Sequence, residues 1–223
     1  AGTVNGDSLN YTLATTATNA SGVGGYPITV TLGANPNYAV TTTDATLSIG
    51  QASSSVTVTC PAAPQTYTAF PIEACSATYA GAGGLSGTLT PSYTGNLNVG
   101  TANASATYVG DANHAGSSAS GSFAIAKAAL SVAANDKTRV AGTPNPVFDG
   151  TLTGVLGADG ITATYGTTAI TSSPAGTYPI TPTLVDPNGR LGNYAVTIAP
   201  GTLTVTNTPP TIAVPSNRTV EAP

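Results

Sequence analysis

The sequence has no methionine, no tryptophan and a single histidine, and of its 223 residues only five are basic and nine acidic. Each shortage closes off a class of function. With five cations and a net charge of −4, the chain lacks the electrostatic attraction on which nucleic-acid binding depends, and it has no polybasic patch for anionic lipid. A His-dependent triad could use only His114, in the loop 110–116, and that residue reads as a solvated hairpin position. No enzymatic activity and no cofactor are expected. No apolar run approaches the ~20 residues of a spanning helix, and no signal-peptide pattern stands at Ala1, so no membrane insertion is expected within this stretch. Helical periodicity is missing as well, because Pro, Gly and β-branched residues interrupt every window long enough for a helix.

What the chain does have is short alternation. Ile28, Val30 and Leu32, then Val56 and Val58, Phe123 and Ile125, Leu130 and Val132, Leu203 and Val205 are each spaced by two, with small or hydroxylated residues between. That is the period of a half-buried strand. Turn signals such as Asn35-Pro36-Asn37, Gly110-Asp111, Pro144-Asn145-Pro146 and Asp186-Pro187-Asn188-Gly189 separate the runs at the spacing of an all-β sandwich. The expected core comprises Leu9, Ile28, Val30, Leu32, Val56, Val58, Tyr79, Tyr108, Phe123, Ile125, Leu130, Phe148, Ile161, Tyr178 and Ile180.

The chain also repeats itself. Asp7 through Leu32 reappears at an offset of 152 as Asp159 through Leu184. After a four-residue insertion the match resumes, Asn37-Tyr38-Ala39-Val40 against Asn193-Tyr194-Ala195-Val196 and Thr46-Leu47-Ser48-Ile49 against Thr202-Leu203-Thr204-Val205. The second copy is preceded by a starting segment, 127–152, that the first copy lacks. With no methionine at Ala1, the expectation is a window on a longer tandem array, or a subunit whose first domain is completed by something else. The domains expected are a partial one over 1–50, complete ones over 51–126 and 127–207, and a linker with a first strand over 208–223. Linkers of a few residues predict a semi-rigid linear rod.

Cys60 and Cys75 are the only cysteines, each flanked by an alternating run. A disulfide between neighbouring strands is expected, which implies an oxidising compartment; two buried free thiols are the alternative. A zinc site wants four ligands, and one histidine with two cysteines falls short. Asp7, Asp111, Asp149, Asp159 and Asp186 each touch a turn former and read as Asx-turn residues, with calcium near Asp186 or Asp111 as the rival. The four Asn-X-Ser/Thr sequons, at Asn10, Asn19, Asn103 and Asn217, are no more than chance gives in so Asn-, Ser- and Thr-rich a chain.

Residues 127–206, with Lys127-Ala128-Ala129-Leu130, Asn135-Asp136-Lys137-Thr138, Gly142-Thr143-Pro144-Asn145-Pro146 and Gly176-Thr177-Tyr178-Pro179-Ile180, resemble the MBG domain of bacterial surface proteins. Residues 1–49 resemble the later part of another copy. Residues 50–126, with Asn98-Val99-Gly100-Thr101 and Gly110-Asp111-Ala112-Asn113-His114, are similar to a bacterial Ig-like repeat, and 209–222 to the opening strand of a HYR domain. The resemblance implies tandem immunoglobulin-like sandwiches in a secreted, adhesin-like protein of the bacterial cell surface, whose partners are flanking domains or other copies of itself. Its bound ligand, if it has one, is not implied. Three functions follow: a structural stalk or fibre; a filament subunit completed by strand donation, with Ile212, Val214 and Val220 on the donor strand; and a module binding carbohydrate or a host protein.

Overall fold

The computed structural model describes residues 2–4, 6–157, 159–207, 210 and 212. The chain is all-β: its helical content among the described residues is two single 3-10 turns, Ala82–Gly84 and Leu191–Asn193. Two compact units divide it. The first holds Ala1–Ala62, Glu73–Thr94 and Ala102–Phe123, the second Ala63–Ile72, Gly95–Thr101 and Ala124–Pro223.

In the first unit, strands β1 (Tyr11–Thr15), β2 (Gly24–Leu32) and β3 (Ala45–Ile49) form an antiparallel sheet in that order. A second sheet has β6 (Ser76–Gly81) between β4 (Ser54–Thr59) and β7 (Ser86–Leu89). Strands β8 (Ser92–Thr94), β9 (Gly100–Tyr108) and β10 (Ser117–Ala126) belong to a third sheet, whose short strand β5 (Gln65–Thr66) counts, like Ile125 and Ala126 with which it pairs, to the second unit. On β9 it is alanine that faces inward: Ala102, Ala104 and Ala106 are buried, with Phe123 and Ile125 on β10. Small side chains at alternate positions bring backbones close, which a search for large apolar residues does not find.

The second unit contains a two-sheet sandwich. One sheet has β11 (Ala128–Ala134) between β13 (Gly150–Thr153) and β16 (Tyr194–Ala199). The other runs β12 (Lys137–Val140), β17 (Gly201–Thr206), β15 (Gly176–Val185), β14 (Thr162–Thr167). Strand β11 packs across on β15 and β17. Leu130 and Val132 of β11 are buried, as are Ile180 of β15 and Leu203 and Val205 of β17. Each such side chain contributes about 1.5–3 kcal/mol relative to full exposure.

The sequence repeat is a repeat of register. Leu13 faces Val30 across β1 and β2, and Tyr165 faces Pro182 across β14 and β15. Tyr26 faces Leu47, and Tyr178 faces Leu203. All four pairs keep the offsets read from the sequence. The copies part where β11 and β12 enter. Strand β16 owes its ladder to β11, with which it pairs in parallel, and β17 is paired in parallel by β12. The first copy has no such partners among the described residues, so 38–43, which match 194–199, form no strand. Its apolar face is accordingly bare: Leu13 is 59% exposed and Leu47 40%, whereas Leu203, the counterpart of Leu47, is fully buried. The expected core residue Leu32 is exposed for the same reason.

Candidate functional site

The most tightly built polar site of the second unit centres on Asp159, a buried carboxylate with no cation bonded to it among the described residues. The Tyr194 hydroxyl donates to Oδ2 at 2.6 Å, and the Tyr67 hydroxyl lies 3.0 and 3.1 Å from Oδ1 and Oδ2. Tyr67 stands just beyond β5, its amide bonded to the Ala126 carbonyl. Tyr194 opens β16. Their rings meet edge to face, centroids 5.7 Å apart. Burial, then the hydrogen bond to Asp159, pushes the Tyr194 phenol up to about 12, and the same two causes raise that of Tyr67. Neither phenol can ionise at neutral pH, so both remain donors. A carboxylate accepts only, and burial without donors would be costly; two aromatic hydroxyls meet that need without a buried ion pair.

Around this centre, the Tyr194 oxygen accepts from the Leu156 amide at 3.1 Å, and the Asp159 amide donates to the Leu156 carbonyl at 2.9 Å. The buried Asn193 accepts from the Val99 amide at 2.9 Å and donates to Asn98 Oδ1, which Arg190 also reaches at 3.1 Å. Residues 63–72 and 95–101 are thus seated on the second copy by side chains from two of its loops and by Tyr194.

The first copy carries the same clasp at the matching positions. Tyr38 donates to Asp7 Oδ2 at 2.7 Å, the Val4 amide donates to the Tyr38 oxygen at 3.1 Å, and the Asp7 amide donates to the Val4 carbonyl at 3.1 Å. Asp7 and Asn37 are exposed, where Asp159 and Asn193 are buried.

A family model described as the MBG domain (YGX type) matches residues 1–48 and 130–204, which is more than half of the chain and covers both copies. The chain belongs to the MBG domain family. A comparison with curated proteins found no match. The intervening segment 49–129 lies outside the matched residues, and it carries two further features.

One is the loop after β9, which joins the segment to the first MBG copy. Asp111 Oδ1 accepts from the Asn113 and His114 amides and from His114 Nδ1 at 2.9 Å, while Oδ2 accepts from the Tyr108 hydroxyl at 2.8 Å. His114 Nε2 lies 3.0 Å from the Ala82 carbonyl. Asn113 accepts from the Val23 amide at 2.9 Å, and Ala52 exchanges backbone hydrogen bonds with Asn113 and Ala115. Tyr108 stacks on Tyr79 at 4.6 Å. Hydrogen bonds from Tyr108 and the loop amides hold the Asp111 carboxyl down to about 2, and those to Asp111 and Ala82 raise the His114 imidazole. His114 is therefore no solvated hairpin residue: its side chain is 15% exposed, and both ring nitrogens have partners.

The other is the Cys60–Cys75 disulfide, with Cα atoms 4.2 Å apart. The cysteines follow β4 and precede β6, one step beyond the Thr59–Ser76 pair of that ladder. Gly121 leaves the room: a Cβ there would stand 3.0 Å from Cys60 Sγ.

Of the aspartates expected in Asx turns, Asp111 and Asp186 do accept backbone amides, Asp186 from Arg190 and Leu191. Asp149 instead takes Asn135 and Lys137, and Asp7 and Asp159 take tyrosines. The Asp-Gly pair at 159–160 signals only a turn in sequence; Tyr67, 92 residues away, carries no signal of its own. As for the expected donor strand, Ile212 is exposed and in no strand. Val214 and Val220 lie outside the described residues.

Proposed function

We propose that the chain is a structural segment of an extracellular bacterial repeat protein, in which MBG and Ig-like modules follow one another end to end as a cell-surface stalk or fibre. The observation that carries this is the Tyr67–Asp159–Tyr194 clasp, which spends a buried carboxylate on fixing the segment before an MBG copy to that copy. Such a bond resists bending at a junction and offers nothing to a substrate. Membership of the MBG family and the disulfide support an oxidising, extracellular location. A surface of hydroxyl and amide groups with few charges suits a stalk that must stay soluble without binding polyanions. Small-angle scattering on the full chain tests the arrangement: an end-to-end stack gives a rod-like distance distribution, and Tyr67→Phe broadens it by loosening the junction. A globular distribution would remove the stalk. Surface labelling of producing cells with antibody to the chain tests location, and a purely cytoplasmic signal would overturn it.

The bare face of the first copy favours a second reading, a filament subunit completed by a neighbour's strand. Leu9, Tyr11, Leu13, Val30, Leu32 and Val40 line an apolar trough there. Deleting residues 208–223 separates the two: loss of self-association in sedimentation supports donation by that segment, and unchanged sedimentation eliminates it.

A further inference from the structure

The second copy's clasp is covered by another segment, whereas nothing among the described residues covers that of the first. We infer that the Asp7–Tyr38 end of the first MBG copy is a docking surface for a second module built like residues 50–126, which would place a tyrosine hydroxyl on Asp7 as Tyr67 does on Asp159.

The occupant is identified by what the matching surface holds. In the second copy, Tyr67 donates to both oxygens of Asp159, and Asn98 and Val99 engage Asn193. The first copy keeps the groups that receive them. Asp7 stands at the Asp159 position with its carboxylate already oriented by Tyr38, and Asn37 stands at the Asn193 position. Asp7 Oδ1 has no partner among the described residues, and this is the oxygen whose counterpart takes Tyr67 alone. The partner must therefore present a neutral donor on a flat aromatic together with an asparagine side chain. A cation is not required, since no Lys or Arg among the described residues bonds Asp159.

The first copy lacks the four-residue insertion from which Arg190 reaches Asn98, and Asn188 braces the Asp159 carbonyl. Docking there is accordingly weaker than at the second copy. This docking presupposes the end-to-end arrangement proposed above, and it adds that the order Ig-like then MBG is read by the surfaces themselves and not by the linkers alone.

The test uses the full chain extended at its front by a second copy of residues 50–152, so that Leu152 leads into residue 1 as it leads into Thr153. Two double-mutant cycles are measured by urea denaturation. One pairs Tyr67→Phe in the added copy with Asp7→Ala; the control pairs Tyr67→Phe in the original copy with Asp159→Ala. Hydrogen bonds to a carboxylate predict coupling of about tenfold or more in the unfolding constant for the control, and at least about fivefold for the Asp7 pair. Coupling in both supports the inference. Coupling in the control alone overturns it and leaves the end-to-end arrangement standing, because Asp7 would then serve only its own module. Coupling in neither overturns both. If Asp7→Ala does not fold, Tyr38→Phe takes its place, since its ring keeps the packing while the carboxylate loses its orienting donor.

Discussion

Replacing Tyr67 by Phe removes one hydroxyl and leaves the edge-to-face packing on Tyr194 in place, so the loss measures the bond to Asp159. A hydrogen bond to a charged group contributes about 1.5–3 kcal/mol. Asp159 is 2% exposed, so water does not take over from the missing donor, which puts the expected loss in the upper half of that range. Tyr194→Phe costs more, because its oxygen also accepts from the half-buried Leu156 amide at 3.1 Å, and losing that second bond adds about 0.5–1.5 kcal/mol. The chain has no tryptophan, so unfolding in urea is followed by circular dichroism at neutral pH, with the slope required to stay constant. A midpoint shift for Tyr67→Phe worth less than about 0.5 kcal/mol, in the range of a neutral surface substitution, would mean that the carboxylate does not depend on Tyr67. The clasp would then hold nothing together.

Gly150→Ala is expected to destabilise the second unit by at least 1–3 kcal/mol, roughly the cost of overpacking, because its methyl would meet the Ala133 carbonyl and the Tyr165 ring; thermal unfolding reads it. Replacing Cys60 and Cys75 by serine should cost about 3 kcal/mol by loop-closure entropy for a bridge spanning 15 residues, and the non-reduced protein should take up no alkylating label. Stability plotted against pH should fall on both sides of a plateau. The lowered pKa of Asp111 adds stability above its ordinary value of 3.8 that disappears as pH falls towards about 2. The raised pKa of His114 adds stability that is full below 6.5 and disappears as pH rises through it; His114→Gln should remove the alkaline arm and shrink the acid one, because His114 also helps to lower the Asp111 pKa. Leu13→Asp should cost under about 0.5 kcal/mol, as an exposed position does, whereas Tyr165→Asp at the matching position, packed on the Ile180–Leu203 core, should prevent folding as judged by loss of strand signal.

The sequence carried the repeat down to register because β1, β2 and β3 pair only with neighbours in the chain, and alternation fixes which face turns in. It carried the disulfide, since Cys60 and Cys75 end runs that become β4 and β6. The match of 38–43 to 194–199 does not extend to secondary structure: a parallel ladder needs its partner, and the matching residues of the first copy, with no β11 beside them among the described residues, stay irregular. The clasp was out of reach for a different reason. Aspartate before glycine is what a turn looks like, and the tyrosine that turns it into a joint comes from another part of the chain, with no local pattern to mark it.

The connection between β11 and β12 explains how one short segment shapes both sheets of the second copy. Only Asn135 and Asp136 separate the two strands, yet β11 lies in one sheet and β12 in the other. Residues 128–140 therefore staple the sandwich: β11 brings Leu130 and Val132 into the core and pairs β16, while β12 closes the edge of β17. The β14–β15–β17 half pairs antiparallel within itself, and β1, β2 and β3 of the first copy keep the same register with no such strand pair among the described residues. Parallel pairing, by contrast, comes only through the staple in this module, so β16 and the outer edge of β17 stand or fall together. An MBG module is thus a self-registering antiparallel half and an inserted strand pair. The clasp links the two, since Tyr194 opens β16 while Asp159 lies in the loop before β14; Asp7 and Tyr38 make the same bond in the first copy, and Asp159 is buried where Tyr67 also bonds it.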